Sequence, residues 1–461
     1  MADSPVARFF KLRERGTNVR TEVLGGATTF VTMAYIIVVN PAILSFAGIP
    51  PGPSTVATIL AAAFGSLLMG LYANRPIAVA PYMGENAFIA FGLAAMGIGW
   101  QLRIGAVFVS GLAFAVITLL RVRGWLANSI SPSLKHSFAV GIGLFLAFIG
   151  LYETGVVTSS VAGMAPGALL RGGASVLSAP DVPVKIGNLR SPQVLLAVAG
   201  FVLIAALLYF RVRGGILMGI AATAVLGYVL GLGEAPRAVA ALPFTGAYNL
   251  SAIALKLDIA GVLRLSFLPI LLTLFLMGFL DTLGTLVGVG AAGEMLDEKG
   301  NFPEIERPMM VDAATCVFSA LVGTSTSGAY IESATGIREG ARTGLAAVTT
   351  AALFGVSLFF IPLVEPLQHL RYAYGPALVA VGVLMLGSIR NIDFQDMTEL
   401  VPAFVTITVM VFTYNVANGL TAGLVLWPFF KAVTGRFKEI KPGALVLGLL
   451  CLVYFVFGLP H

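Results

Sequence analysis

Four acidic residues lie inside apolar stretches of the sequence, where an ionised side chain is costly. They are Glu85, Asp281, Asp312 and Glu332, and a charged group at the centre of a membrane helix costs about 2.5–3.5 kcal/mol or more. No Lys or Arg lies inside the membrane with them. Together with Asn86, whose amide both donates and accepts, they favour a neutral ligand rich in N–H donors and carbonyl acceptors. An inorganic anion would require a fixed positive charge.

Asp281 and Glu332 are the strongest candidates for ligand contact. Asp281 lies mid-span in LFLMGFLDTLGTLVGVG, beside Gly278, Gly284 and Gly288, which we expect to let another backbone approach this helix. Glu332 opens a short helix whose partially positive end would stabilise a carboxylate or a polar ligand. The structural alternative is a buried pair that holds these two segments together.

The remaining polar residues have structural alternatives of their own. Asn86 could instead cap a helix, and Glu85 could face away into a salt bridge. Asp312 lies near Arg307, so a structural salt bridge or a helix cap is its predicted role. A buried carboxyl group also suits a coupled proton, although carboxylate, amide, hydroxyl and carbonyl oxygens would equally hold sodium, and both ions stay open. The candidates for proton coupling are Asp281, Glu332 and Glu85.

The composition excludes a soluble protein. Of 461 residues, 58% are hydrophobic and 11% are charged, whereas soluble domains carry about 25% charged residues. The net charge of +6 is therefore interpreted as membrane topology and not as a nucleic-acid surface. Cys316 and Cys451 lie in apolar runs, and the three histidines lack metal-ligand spacing, so we expect no disulfide, metal or cofactor. No removable signal peptide is predicted, because the first apolar run is long enough to span.

Fourteen apolar segments and one additional stretch predict an all-α polytopic membrane protein. Eight of the 28 Lys and Arg residues fall on the outer side if the N-terminus is cytoplasmic, which agrees with the positive-inside rule. Those eight are Arg103, Arg171, Lys185, Arg190, Arg237, Lys256, Arg264 and Arg371. The segments are 27–47, 55–74, 76–96, 102–121, 137–153, 192–210, 215–232, 266–291, 309–326, 328–340, 343–364, 374–389, 400–417 and 419–434, followed by 443–459, whose crossing of the membrane stays open.

Two halves of seven segments must have opposite orientations, which is the inverted repeat of many secondary transporters. The third segment of each half is interrupted: 76–96 begins with Pro76 and Pro81, and 328–340 follows a run of Ser, Thr and Gly. We predict a short strand and a half-helix in each, facing a common central cavity, because lipid cannot satisfy extended backbone. The alternative is a pair of re-entrant loops with no substrate.

Four motifs resemble the nucleobase/ascorbate transporter superfamily, and most closely its AzgA-like adenine/guanine/hypoxanthine permease branch. They are MAYIIVVNPAIL (Met33 to Leu44), MGENAF (Met83 to Phe88), FLDTLGT (Phe279 to Thr285) and IESATGI (Ile331 to Ile337). The stretch MLDEKGNFPEIERPM (Met295 to Met309) is similar to that branch as well. The resemblance runs from about Thr28 to Lys441.

The resemblance implies a core domain of 27–121 and 266–364 that slides, like an elevator, against a gate domain of 137–232 and 374–434. It also implies a homodimer formed through the gate. Thr285 stands where uracil and xanthine transporters often carry a histidine, which favours the adenine/guanine/hypoxanthine branch. Glu85 departs from the apolar residue usual in this branch. The implied substrate-binding residues are Glu332, Asp281, Asn86, Gly84, Phe88, Thr285 and Ile331.

The expected function is proton-coupled import of adenine, guanine or hypoxanthine across the cell membrane, with a cytoplasmic N-terminus. An anion or dicarboxylate transporter on the same fold is a first alternative, which the acid Glu332 disfavours. An intramembrane enzyme that uses Asp281 and Glu332 as an acid pair is a second. The inverted repeat argues for transport, because alternating access needs it and an enzyme does not.

Overall fold

The computed structural model describes residues 4–120, 129–160, 184–293, 295, 302 and 304–457. Within these ranges nine helices are long and apolar enough to cross a membrane, so the chain is an integral membrane protein. The count of fourteen spans stays a prediction. The nine are Val19–Ser45, Pro51–Ala73, Trp100–Leu119, Pro132–Glu153, Pro192–Tyr209, Ile270–Gly290, Gly344–His369, Arg371–Asn391 and Val416–Val433.

The first half of the chain contains ten α-helices and three short strands in its described part. Two π-helical stretches, Met69–Ala73 and Phe88–Gly92, extend α4 and link α5 to α6. The helices are α1 Pro5–Phe9, α2 Val19–Met33, α3 Ile36–Ser45, α4 Pro51–Leu68, α5 Met83–Ala87, α6 Leu93–Ala95, α7 Trp100–Leu119, α8 Pro132–Glu153, α9 Pro192–Tyr209 and α10 Gly215–Val229, and the strands are β1 Val79–Pro81, β2 Val157–Ser159 and β3 Val184–Ile186.

The second half follows a similar order. One strand, β4 Ser327–Ala329, again precedes a short helix. The helices are α11 Ile259–Val262, α12 Leu268–Ala292, α13 Glu306–Val322, α14 Ser333–Arg338, α15 Gly344–Ser357, α16 Ile361–Val364, α17 Arg371–Met385, α18 Met397–Phe412, α19 Val416–Val433 and α20 Pro442–Phe457.

Strands β1 and β4 pair with each other in the interior, as the interrupted segments predicted. They are antiparallel, with Ala80 opposite Gly328, and the ladder continues through bonds from the Tyr82 amide to Thr326 and from the Tyr330 amide to Ala78. Each piece of extended backbone thus satisfies the other, which lipid could not do. Because the strands are antiparallel, the helical stretches that follow them run toward opposite sides of the molecule.

Each strand is also fixed at its first residue by the helix that precedes it. The Ser66 hydroxyl, in α4, accepts from the Val79 amide at 3.0 Å and donates to the Val79 carbonyl at 3.1 Å. In the other half, Ser319 of α13 shares a hydrogen bond with the Ser327 hydroxyl at 2.7 Å. The Cys316 thiol donates to the Ser327 carbonyl at 2.9 Å. The two halves therefore solve the same problem at equivalent positions.

Two tyrosine rings cover one face of the strand pair. The rings of Tyr82 and Tyr330 are nearly parallel, with 6.4 Å between their centroids, and both residues are buried. The Tyr330 hydroxyl donates to the Pro81 carbonyl at 2.5 Å. A Cβ at Gly328 would lie 2.4 Å from Cζ of the Tyr82 ring, so only glycine fits beneath it.

The first span is interrupted at Ala34 and Tyr35, between α2 and α3. Pro41 lies inside α3, and proline lacks the amide that would bond to the carbonyl four residues earlier. That carbonyl, of Ile37, instead accepts from Gln368 Nε2 at 3.2 Å, and the same nitrogen donates to Thr55 Oγ1 at 2.8 Å. A glutamine from the second half thus repairs a break in the first.

The helices form two groups that pack mainly within themselves. The first group contains α2, α3, α4, α7, α12, α13, α14, α15 and both central strands. The second contains α8, α9, α10, α17, α18 and α19. Their assignment as a moving core and a fixed gate stays a prediction.

The additional C-terminal stretch, 443–459, contains helix α20, and its last two residues lie outside the described part of the chain. Helix α20 contacts α19 of the second group and α12 of the first. In the long outer loop, β2 and β3 pair with each other. Residues 161–183 of that loop, and most of the stretch Met295 to Met309 before residue 304, are not among the described residues.

Replacing Gly328 by alanine should destabilise the protein, because the new methyl group overlaps the buried Tyr82 ring. Overpacking of this kind costs about 1–3 kcal/mol. Gly355→Ala is the matched control, since a Cβ there meets nothing within 4 Å. Thermal unfolding in detergent, followed by size-exclusion chromatography, should separate the two variants. Equal stability of both would contradict the close approach at Gly328.

Candidate functional site

Three of the four predicted acids come together beside the strand pair. Asp281 of α12 is close enough to Glu332 and to Glu85 for their charges to interact. Tyr330 lies within reach of all three. Glu85 of the first half therefore lies near Asp281 and Glu332 of the second half, which follow it by about 200 residues or more in the sequence.

Glu332 is the N-terminal cap residue of α14, as predicted, but it is stabilised in a different way from that expected. Its Oε1 accepts from the Tyr35 hydroxyl at 2.7 Å. Helix α14 has only six residues, and the amide of Ser333 bonds to the Tyr330 carbonyl. The Tyr35 hydroxyl therefore supplies the hydrogen bond that we expected from the end of the half-helix.

Asp281 lies in the middle of α12 with its side chain half-buried. The expectation that Gly278 and Gly284 admit another backbone is wrong, because a Cβ at either position would meet nothing within 4 Å. At Gly288 the nearest atom is Ile331 Cδ1, at 3.5 Å. These glycines leave free space along the face of α12 that carries Asp281, and a flat ligand could occupy that space.

Asp312 has a structural role, although not through the predicted salt bridge. Arg307 lies near Glu304 instead. Asp312 is fully buried, and its Oδ2 accepts from the Thr282 hydroxyl at 2.8 Å and from the Ala329 amide at 2.9 Å. It thereby joins α13, α12 and β4 directly behind the site.

Asn86 and Glu85 are both fully buried. Asn86 Nδ2 donates to the Asn40 carbonyl at 3.4 Å. The side-chain oxygen Oδ1 of Asn86 and both carboxylate oxygens of Glu85 have no hydrogen-bond partner among the other described residues. The salt bridge considered for Glu85 is therefore not present there.

The other predicted residues differ in what they contact. A Cβ at Gly84 would lie 2.5 Å from Ile142 Cγ2, so Gly84 permits close packing against α8. Phe88 is fully buried and Thr285 is nearly so, whereas Ile331 is 58% exposed. Phe88 lies against Gly92, where a Cβ would be 2.7 Å from its ring.

Three further residues contribute to the site without having been singled out from the sequence. Tyr35 binds Glu332, and Tyr82 shares a hydrogen bond with Thr282 at 2.9 Å. Asn40 Nδ2 donates to Thr324 Oγ1 at 3.0 Å. Tyr35 and Asn40 both occur in the motif Met33 to Leu44, and an asparagine before a proline in an apolar run was the available signal.

In the described part of the chain, the accessible residues of the site lie along α12 and at the start of α14. Gly284 and Gly288 are exposed, and Asp281 and Glu332 are half-buried. This accessible surface follows α12 toward its C-terminal end. Asn86 is fully buried.

Aromatic rings pack around the π-helical stretch Phe88–Gly92 that follows Asn86. Tyr414, between α18 and α19, packs against Phe91 with 5.9 Å between ring centroids and against Phe145 with 5.3 Å. Phe46 contacts Phe91 at 5.3 Å. The cluster joins the two helix groups, since Phe46 follows α3 and Phe145 lies in α8.

The family model described as "Permease family" matches residues 20–421. The chain belongs to this family, the nucleobase/ascorbate transporters. It is 42% identical to a putative permease of Methanocaldococcus jannaschii, with 98% of each chain covered. It is 39% identical to the adenine permease AdeP of Escherichia coli, covering 98% of this chain and 96% of that one. It is 36% identical to the guanine/hypoxanthine permease PbuO of Bacillus subtilis, over 96% and 98%.

Solved structures agree on the fold of this permease. The transmembrane domain of the cyanobacterial bicarbonate transporter BicA matches with a TM-score of 0.63, at 18% identity, over 88% of this chain and 97% of that one. The murine solute carrier 26 family member A9 anion transporter, in its inward-facing state, matches with a TM-score of 0.58 at 11% identity, over 91% and 68%. The chain is a permease and not an enzyme.

Removing the Asp312 carboxylate should destabilise the permease without any direct loss of ligand contact. Asp312→Ala leaves the Thr282 hydroxyl and the Ala329 amide without this acceptor, and an unsatisfied buried group costs about 1–3 kcal/mol. Asp312→Asn, which keeps one acceptor oxygen, should lose less. Thermal unfolding of both variants in detergent tests this order, and wild-type stability of Asp312→Ala would refute it.

Proposed function

We propose that this permease transports purine nucleobases, in the adenine, guanine and hypoxanthine class. The observation that carries the proposal is its similarity, over nearly the whole chain, to permeases named for adenine and for guanine and hypoxanthine. The resemblance seen in the site motifs agrees with this substrate class.

The chemistry of the site supports a ligand that donates hydrogen bonds. Asp281, Glu332 and the side-chain oxygen Oδ1 of Asn86 are all acceptors when the acids are ionised. Purines offer ring N–H groups, and adenine and guanine also carry an exocyclic amino group. We assign Glu332 and Asp281 to the ring N–H groups and the Asn86 oxygen to an amino group.

Transport of an inorganic anion is the second candidate, because the fold resembles that of a bicarbonate transporter. The site argues against it. Arg103, a buried cation of α7, donates to the carbonyls of Ile89 and Ile98, so it caps backbone at the end of the interrupted segment. The acids that meet at the centre would repel an anion.

We propose that a proton is the coupling ion and that Asp281 exchanges it. Asp281 is the acid of the central group that lies beside free space and is also partly accessible. A proton that neutralises one of several neighbouring carboxylates reduces their repulsion. Binding of substrate and binding of a proton would then support each other.

We further propose an elevator movement, in which the first helix group slides along the second. The two groups meet at the aromatic cluster around Tyr414, where Gly84 packs against α8, and at further contacts. One is an ion pair between Arg213, which precedes α10, and Glu339, which follows α14. Both partners are partly exposed, and an exposed pair contributes about 0–1 kcal/mol, so it would break readily during movement.

The setting of the permease completes the proposal. We place it in the cell membrane with a cytoplasmic N-terminus, as a homodimer that forms through the second helix group. The charge distribution supports the orientation. Light scattering in detergent and accessibility of single cysteines in intact cells test the dimer and the orientation, respectively.

Uptake of radiolabelled nucleobases into proteoliposomes tests the proposed substrate class. Adenine, guanine, hypoxanthine, xanthine and uracil should be compared, with and without an inward proton gradient. Saturable uptake of the first three supports the proposal. Bicarbonate transport without any purine uptake would replace it with the anion candidate.

Neutralising Glu332 and Asp281 should produce different defects. Glu332→Gln loses a charged acceptor for the ligand, so purine affinity should fall by roughly 5- to 150-fold, as expected for about 1–3 kcal/mol. Asp281→Asn should reduce accumulation more than exchange. Glu365→Gln is the control, because Glu365 accepts from Tyr248 away from the site. Equilibrium binding and counterflow separate the two defects, and wild-type accumulation by either variant would remove that residue from the mechanism.

Cross-linking the two helix groups should stop transport. Cysteines at Arg213 and Glu339, joined by a short thiol cross-linker, would hold the groups together. Cysteines at Arg436 and Asp396 form the control, because that ion pair lies wholly within the second group. The native thiols Cys316 and Cys451 are buried and should be replaced by serine or alanine. Uptake that continues after complete cross-linking of the first pair would rule out sliding.

A further inference from the structure

Glu85 is a buried acid to which no other residue in the described part of the chain donates a hydrogen bond. Its side chain is fully enclosed, and neither carboxylate oxygen has a partner among the other described residues. An ionised carboxylate in this position would incur a desolvation penalty that its own backbone amide offsets only in part. The group needs a proton, a cation or a donor from a ligand.

The elements packed against α5 carry no Lys or Arg except Lys135, which lies at the N-terminal end of α8. Helix α5 contacts α3, α8, α12 and the π-helical stretch Phe88–Gly92. The titratable residue that α12 contributes is Asp281, whose charge interacts with that of Glu85. Helix α3 contains no titratable residue, and neither does α8 between His136 and Tyr152. At Gly84, α8 presents the apolar Ile142.

The remaining titratable neighbours are weak acids. Tyr82, Tyr330 and the Cys316 thiol each interact electrostatically with Glu85. Their donors are already used: the Tyr82 hydroxyl bonds with Thr282, Tyr330 donates to Pro81, and Cys316 donates to Ser327. None of these groups therefore neutralises Glu85.

We propose that Glu85 stores the coupled proton and shares it with Asp281. The proposal rests on the proposed function, and it assigns the proton to the buried member of the pair. Two adjacent carboxylates resist double ionisation and titrate as a unit. One proton gives the pair one O–H donor and one remaining negative charge.

The different exposure of the two acids gives the proton a route. Asp281 is half-buried beside the free space at Gly278 and Gly284, so it exchanges protons with water on that side. Glu85 lies behind it and has no such access. Asp281 first takes up a proton from water, and when a purine N–H binds the Asp281 carboxylate that proton moves to a Glu85 oxygen. After the purine leaves, the proton returns to Asp281 and then to water. The doubly ionised pair that remains is unfavourable, so it readily takes up the next proton.

A sodium ion is the competing occupant, and the described residues fit it less well. Sodium binding requires several oxygen ligands at once, whereas a proton needs only two. Within the described residues no three Asp, Glu, His or Cys side chains lie close enough together to share one metal ion, so sodium would also need hydroxyl, amide or carbonyl oxygens. The proton therefore remains the assignment, and a sodium gradient becomes one arm of the test.

Glu85→Gln in proteoliposomes tests the assignment, with Glu365→Gln as the control. The variant should retain adenine and hypoxanthine counterflow within about threefold of wild type, while accumulation driven by a pH gradient falls to the equilibrium ratio. One coupled proton supports about tenfold accumulation per pH unit, so a gradient of one unit gives a clear signal. Wild-type accumulation by Glu85→Gln would overturn the proposal. Loss of counterflow would also overturn it, and would give Glu85 a substrate-binding role. Accumulation by the wild type on a sodium gradient at constant pH would overturn it in favour of sodium.

Infrared spectroscopy of the wild type keeps the proposal testable if Glu85→Gln does not fold. A pH titration should reveal the carbonyl band of a protonated carboxylic acid, and carbon-13 labelling of glutamate alone should shift it. The band should persist in Glu332→Gln. A band that does not shift, or that disappears in Glu332→Gln, would assign the proton elsewhere. This measurement needs no purine, so it distinguishes failure of the proton assignment from failure of purine transport.

Discussion

Backbone hydrogen bonding at the middle of the membrane is the constraint on which this structure depends. Two segments, one from each half, contain extended backbone that lipid cannot satisfy, and they satisfy each other as the pair β1 and β4. Because the pair is antiparallel, the helical stretches beyond it run in opposite directions. That arrangement brings Glu85 and Glu332, from segments about 250 residues apart, to the same central region as Asp281. The site is thus a consequence of how the unpaired backbone is satisfied.

The four intramembrane acids are distinguished by the donors that reach them. Asp312 accepts from a hydroxyl and from a strand amide, so its oxygen is committed to holding β4 in place. Glu332 accepts from one tyrosine and keeps its second oxygen for other contacts. Glu85 has no donor among the other residues in the described part of the chain. Within one cluster, the acids therefore range from Asp312, which is engaged in holding the fold, to Glu85, which lacks hydrogen bonds from other residues. Glu85 is the acid that needs a ligand or a proton.

The sequence predicted where the membrane helices are interrupted. It did not predict the contacts between the two halves. Proline and Ser/Thr/Gly runs cannot form spans, so the interrupted segments and their short strands could be located. Asp312 could not be assigned correctly, because its partners Thr282 and Ala329 come from two other elements, whereas Arg307 was merely close in sequence. Gly278 and Gly284 resembled a packing motif, although they line free space. Tyr35 and Gln368 bond to residues about 300 positions away in the sequence, Glu332 and Ile37. Local sequence patterns do not predict such long-range pairs. The roles of the site residues in binding stay predictions.

The fold alone does not select the substrate. The same arrangement of helices occurs in a transporter named for bicarbonate, where identity to this chain is only 18%. Proteins that share this backbone fold can carry different side chains around the strand pair. Here those side chains are carboxylates and an amide oxygen, and the buried arginine Arg103 is used for capping carbonyl groups. A ligand that enters this centre must bring donors with it, and a neutral heterocycle with N–H groups does so without adding charge to a region that is already difficult to neutralise.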